Sequence, residues 1–320
     1  MKIEVIKLYE NREDVTLTTY VLPDSPDTLA GKKRPAILIC PGGGYMSCSD
    51  KEGEPIALKF ASMGYHTFVL KYSTYSEGKQ EGFPDLSKQI EVKNMCLYPT
   101  QMREIGKAML IIHEHADEWL VDENRIALCG FSAGAHNAAM YATNWHTDTI
   151  TEYFHVDKEK FRPAAAILCY TLSDYVFMRD NSKNERPLNV AFFKASNIAF
   201  LGSSEPSKEM LDMVSPARHV TENTPPIYLW ATATDELVPV QHSIRMAHAL
   251  ADHKVPFELH IFEEGPHGLA LATSATAVAK TQLYPDAAKW ADLAGCWLEK
   301  RFAFDLDEVT PFEALMNKDA

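Results

Sequence analysis

Arg125-Ile126-Ala127-Leu128-Cys129-Gly130-Phe131 runs straight into Ser132-Ala133-Gly134-Ala135-His136. The first part is apolar at successive positions, as a strand buried on both faces must be. The residues after it, His136-Asn137-Ala138-Ala139-Met140, favour helix. Between strand and helix, Gly130-Phe131-Ser132-Ala133-Gly134 must reverse the chain within a few residues. Such a turn lifts the serine Oγ clear of the sheet, and small residues on both flanks let strand and helix approach closely. A tight turn with a chemically idle serine is the alternative. The placement after a strand and before a helix favours a nucleophile.

Outward from this stretch the same pattern repeats. Apolar runs at Ala36–Cys40, His66–Lys71, Ala164–Tyr170, Ile227–Ala233 and Phe257–Phe262 alternate with segments of helical spacing. Met102, Ile105, Met109 and Ile112 form one stripe; Ile244, Ala247 and Leu250 form another; Ala287, Trp290, Ala291, Ala294, Trp297 and Leu298 form a third. All three read as core-facing helices. Strands alternating with helices imply βαβ units and an α/β fold. Before them, residues 3–9 and 15–22 alternate like paired strands joined by Asn11-Arg12-Glu13-Asp14. Counting these two with the six later runs gives a mostly parallel twisted sheet of about eight strands flanked by helices.

A length of 320 residues would on average fill about two domains. Large α/β sheets run past that as one unit, and residues 1–302 read as a single domain. Residues 73–99 and 171–210 break the alternation and read as elaborations near the active site, the material of a partial cap. Residues 303–320 read as a C-terminal tail.

The chain's chemistry-bearing residues follow in order. Pro41-Gly42-Gly43-Gly44-Tyr45 comes straight after a predicted strand. A glycine run there lets backbone N–H groups face a cavity unobstructed, and acyl transfer needs two such donors for its oxyanion. Gly43 or Gly44 would supply one and Ala133, after the nucleophile, the other. A phosphate cradle is disfavoured, because no Gly-Lys-Ser/Thr ending follows. Asp235 sits just past the strand Ile227–Ala233, on the ligand side of an open α/β sheet. It suits the carboxylate that orients an imidazole, with Glu236 and Asp174 as competitors. His267, in Glu263-Glu264-Gly265-Pro266-His267-Gly268, suits the general base. The remaining histidines read as structural. His113 and His115 are two apart on a helix and face different directions, so they do not share a metal ion. His136 packs or hydrogen-bonds. Nothing suggests zinc, a nucleotide or a flavin, and no cofactor or metal is expected.

Composition narrows the partners. The chain is 46% hydrophobic and 23% charged, with a formal net charge of −13. Such a chain repels phosphate backbones and anionic membranes, so a neutral small-molecule ester fits better than nucleic acid or a membrane surface. The six cysteines form no C-x-x-C pair, and Cys40, Cys129 and Cys169 fall in strand-like runs, which reads as free buried thiols. Lys2, Glu4, Lys7 and Glu10 interrupt any apolar leader. No run approaches about 18 apolar residues. The expectation is a cytoplasmic protein, with a homo-oligomer left open.

At this point the chain resembles a known family. The segments PGGGYMSCSDKEGEPIA (41–57), GFSAGAH (130–136), ATDELVP (233–239) and EEGPHG (263–268) look like those of acetylxylan-esterase-like carboxylesterases, including the bifunctional feruloyl/acetyl-xylan esterase type. The resemblance spans about residues 34 to 302 and implies the α/β-hydrolase fold. One departure is Pro41, where many lipase-like esterases carry histidine. The resemblance implies a serine carboxylesterase that removes short acyl groups, acetyl foremost, from neutral sugars or xylo-oligosaccharides through an acyl-enzyme on Ser132. Tyr45 is placed to add an aromatic wall for a sugar face, with ordinary loop packing as the favoured alternative. A prolyl-oligopeptidase-like peptidase or a formamidase-like amidase with the same three residues is the competing enzyme. A non-catalytic binding protein on the same scaffold is the third reading, and the filled serine, acid and histidine positions argue against it.

Overall fold

A computed structural model of the chain describes residues 1–28, 30–79, 90–181 and 186–316. Residues 80–89 and 182–185 of the two predicted elaborations, and 317–320 of the predicted tail, lie outside the described residues.

Eight strands form one sheet: β1 (Val5–Tyr9), β2 (Arg12–Tyr20), β3 (Arg34–Cys40), β4 (His66–Lys71), β5 (Val121–Phe131), β6 (Ala165–Cys169), β7 (Ile227–Thr232) and β8 (Phe257–Phe262). Their order is β1-β2-β4-β3-β5-β6-β7-β8. β1 and β2 are antiparallel; every pairing from β4 to β8 is parallel. This is the α/β-hydrolase architecture the sequence led us to expect. Ten helices accompany the sheet among the described residues: α1 (Glu54–Ala61), α2 (Thr100–Glu114), α3 (Ala133–Asn144), α4 (Asp148–Phe154), α5 (Tyr175–Asn181), α6 (Pro187–Leu201), α7 (Lys208–Met213), α8 (Gln241–Asp252), α9 (Trp290–Glu299) and α10 (Pro311–Met316).

The period of two sorts the strand side chains into two cores. Leu38, Leu128, Leu168 and Leu229 join α2, α3 and α8 on one face. Ile37, Ile39, Ala127, Cys129, Ile167, Tyr228 and Trp230 join α1 and α9 on the other. Strands β3, β5, β6 and β7 are therefore buried on both sides, which is why their sequences read as continuous apolar runs. Each fully buried Leu or Ile there contributes about 1.5–3 kcal/mol.

Two local readings differ from expectation. The hairpin pairs Tyr9 with Arg12, so the turn is Glu10-Asn11 and Arg12–Asp14 already belong to β2. Arg12 and Asp14 lie two apart on one strand face, and the guanidinium forks onto the carboxylate with both contacts at 2.7 Å. On α8, Ile244 is 45% exposed, while Met246, Ala247 and Leu250 are buried. The core stripe is therefore rotated one side chain away from the predicted one. All six cysteines are free thiols, with Cys40, Cys129 and Cys169 buried in β3, β5 and β6. Among the described residues, no helix is long and apolar enough to cross a membrane.

Candidate active site

Parallel strands deliver their following loops to one edge of a sheet. Here that edge collects the residues after β3, β5, β6, β7 and β8. Ser132, directly after β5, has φ 51° and ψ −118°. A left-handed non-glycine residue costs about 1–3 kcal/mol and persists only where its surroundings enforce it. Its neighbours do so. The Ser132 N–H donates to the Cys169 carbonyl at 3.0 Å, and the His136 N–H donates to the Ser132 carbonyl at 2.9 Å. A methyl group on Gly134 would fall 2.1 Å from the Cys40 carbonyl oxygen, and one on Gly130 would fall 2.4 Å from that of Gly134. Only glycine lets α3 start this close to β3 and β5.

His267, five residues past β8, places Nε2 2.7 Å from Ser132 Oγ and Nδ1 2.7 Å from Asp235 Oδ2. The other carboxylate oxygen of Asp235 accepts the N–H groups of Leu237 and Val238, both at 2.9 Å. The Asp235 side chain is 1% exposed. Burial presses the His267 imidazole towards its neutral form, but the Asp235 carboxylate, by charge and hydrogen bond, and the Glu52 charge outweigh it and leave the pKa above its usual value, with Lys51 opposing. A base held in one tautomer against a serine hydroxyl can take its proton and return it. Neither competitor for the acid reaches the imidazole in this way. Glu236 pairs with Arg186 at 2.7 Å, and Asp174 is held by Arg218 at 3.1 Å.

The glycine loop after β3 lies against the serine: a methyl group on Gly42 would sit 2.9 Å from Ser132 Cβ. The Gly42 N–H donates to Glu52 Oε2 at 2.8 Å. Among the described residues, no backbone hydrogen bond takes up the N–H of Gly43, Gly44 or Ala133. Those three amides are the ones expected to face an oxyanion.

Of its two expected roles, Tyr45 takes packing and not the cavity wall. It is fully buried and stacks on Phe200 with ring centroids 4.1 Å apart. Its hydroxyl bonds His136 Nδ1, whose Nε2 meets the Val214 carbonyl at 2.8 Å. Nε2 must donate there, so Nδ1 accepts from Tyr45; burial pushes His136 down to about 4 and keeps it neutral. Tyr45 is thus a core anchor that ties the glycine loop to α3, and its aromatic bulk went into packing rather than the cavity wall. The described part of 73–99 braces the same loop: Tyr75 and Ser76 donate their N–H groups to the Tyr45 and Met46 carbonyls at 3.0 and 2.9 Å.

Two residues were missed by the sequence reading. Glu52 is 2% exposed, and its Oε1 accepts the Tyr170 hydroxyl at 2.7 Å. Tyr170, next after β6, also accepts the Ala270 N–H at 3.1 Å, and its ring lies edge-on to His267 at 5.0 Å. The signal available was one acid of three in Asp50-Lys51-Glu52-Gly53-Glu54. It reads as solvated, because nothing local says the chain buries it.

Ser132 and His267 open on a cavity of about 1000 Å³. Leu188, Phe192 and Leu237 give it an apolar side; Ser49, Lys51, Thr234, Glu264, Thr281 and Tyr284 give it a polar one. Leu188 and Phe192 come from α6, within residues 171–210. Among the described residues, no three His, Cys, Asp or Glu side chains are grouped to hold a metal ion.

Comparison with known proteins places the chain. It is 30% identical over 242 residues to endo-1,4-beta-xylanase B of Butyrivibrio fibrisolvens, covering 75% of this chain and 33% of that protein. It is 25% identical over 256 residues to an acetylxylan esterase of Xylanibacter ruminicola, covering 79% of this chain and 43% of that protein. The chain thus spans less than half the length of either relative. The solved carboxylesterase Cest-2923 of Lactobacillus plantarum superposes with a TM-score of 0.75 at 29% identity, covering 96% of this chain and 100% of that one. The BD-FAE family model matches residues 25–250. The chain belongs to the BD-FAE family, an esterase family of the α/β-hydrolase fold.

Proposed function

We propose that this protein is a serine carboxylesterase that removes short acyl groups, acetyl foremost, from neutral sugars or xylo-oligosaccharides. The observation that carries this is the relay from Ser132 Oγ through His267 to Asp235, each contact 2.7 Å, at the floor of an open cavity. His267 Nε2 takes the Ser132 proton as Oγ attacks the ester carbonyl. The oxyanion forms against the N–H groups of Ala133 and of Gly43 or Gly44. The carbon–oxygen bond to the alcohol then breaks, and His267 returns the proton to the departing oxygen. Water, deprotonated by the same imidazole, hydrolyses the acyl-enzyme and restores Ser132.

Phe192 supports a small acyl group: its ring tip is so near the glycine loop that a methyl on Gly44 would lie 2.6 Å from it. The polar side of the cavity suits an alcohol rich in hydroxyls, and the names of the xylanase and acetylxylan esterase relatives agree with a carbohydrate ester. No observation favours the peptidase or amidase reading. The test is the specificity constant across acetyl, butyryl and octanoyl esters and acetylated xylo-oligosaccharides, with Ser132→Ala as control. Acetyl esters should lead, and Ser132→Ala should lose at least about 10⁴-fold in turnover. Octanoyl esters outrunning acetyl esters would replace the deacetylase reading with a lipase-like one.

A further inference from the structure

We propose that Glu52 is a positioning residue of the hydrolytic site, whose single buried carboxylate braces both the glycine loop facing Ser132 and, through Tyr170, the imidazole of His267. The inference rests on the serine-esterase reading and deepens it.

A carboxylate 2% exposed is costly to keep unless its oxygens are satisfied. Both are, and by groups that belong to the site. Oε2 takes the Gly42 N–H at 2.8 Å, and Oε1 takes the Tyr170 O–H at 2.7 Å. The first bond spends the Gly42 amide on the protein and fixes the plane of the peptide joining Pro41 to Gly42, one residue ahead of Gly43. The second holds a ring whose edge meets His267 at 5.0 Å. Glu52 also lines the cavity itself.

Charge gives the arrangement a second consequence. During attack His267 becomes an imidazolium. The groups facing it are the anions Asp235 and Glu52, the cation Lys51, and the neutral Ser132 and Tyr170. Around Glu52, Tyr72, Tyr170 and Cys169 are pushed towards their neutral forms by burial. The Glu52 carboxylate thus adds to that of Asp235 in favouring the charged imidazole.

The experiment is the pH profile of kcat and KM for p-nitrophenyl acetate hydrolysis by the full chain, comparing Glu52→Gln, Glu52→Asp, Tyr170→Phe and Ser132→Ala. Glu52→Gln keeps the shape and removes the charge. His267 then loses an anion that raises its pKa, so the acid limb of kcat/KM should move to lower pH. Glu52→Asp should hold the limb at its wild-type position. A loop or imidazole out of place costs on the order of tenfold or more in kcat, with KM little changed; Glu52→Gln and Tyr170→Phe should both show this. A folded Glu52→Gln with an unmoved acid limb, or a Tyr170→Phe with wild-type kcat, overturns the proposal; the second result decides alone if Glu52→Gln does not fold. Activity surviving in Ser132→Ala would instead overturn the esterase mechanism, which separates the two failures.

Discussion

At the scale of single residues, the proposed nucleophile, acid and base could be picked out because each sits a few residues from a strand end. Ser132 follows β5 at once, Asp235 stands three residues past β7, and His267 five past β8. Of the three acid candidates, Asp235 is the one that meets His267 at hydrogen-bond distance, 2.7 Å. What was not legible depended on burial. Tyr45 was read between a cavity wall and loop packing, and it is core; Glu52 went unread because a charged pentapeptide gives no sign of an enclosed carboxylate. The His267 environment leads to a pH prediction. Asp235 and Glu52 raise its pKa against the opposing effect of burial, and the base must be neutral to accept the serine proton. The kcat/KM profile should therefore fall on the acid side with a midpoint above about 6.5, the usual histidine value. Asp235→Asn should lower that midpoint and cut kcat by about 10⁴. A midpoint well below the usual value would contradict the electrostatic account.

At the scale of elements, the strands were readable to within a few residues, since burial on both faces leaves a continuous apolar signature. Helix faces were less so. The α8 stripe was misplaced because Ile244 is apolar but faces outward, and its sequence neighbours do not encode which side meets the sheet. The role of α6 was legible as a departure from alternation, not as a position. It begins on Pro187, whose fixed φ suits a first helical turn, and stops at Gly202 with φ 75°. Between these ends it carries Leu188 and Phe192 into the cavity wall. If Phe192 bounds the acyl side, Phe192→Ala should admit longer chains. A fitted methylene is worth about 0.8 kcal/mol, roughly fourfold in rate. With two methylenes between them, the butyryl-to-acetyl ratio of specificity constants should rise about fifteenfold in that variant. An unchanged ratio would place the acyl group elsewhere in the cavity.

At the scale of the whole molecule, the question is what holds the helical layers to the sheet. The layer of α1 and α9 offers a comparison. Trp290 is fully buried, stacks on Trp230 at 5.3 Å, meets Phe60 and Phe131 edge-on, and donates its indole N–H to the Ala270 carbonyl at 2.8 Å. Lys59 of α1 and Asp292 of α9 pair at 2.6 Å but are 33% and 69% exposed. Truncating the indole forfeits packing and should destabilise by about 3–5 kcal/mol. Breaking the solvated pair should cost less than about 1 kcal/mol. Urea unfolding of Trp290→Ala and Lys59→Ala measures both, and comparable losses would mean that charge rather than packing binds this layer.

The relay joins residues 135 positions apart in the chain, and the glycine loop enters from a third strand further upstream. Parallel neighbours cannot pair through a short hairpin, so each strand from β3 to β8 docks only after a long loop has been closed. The serine reaches its turn while its base still lies on unsynthesised or undocked chain. Under the proposed function, the reactivity of Ser132 therefore waits until β8 has joined the sheet and brought His267 to it.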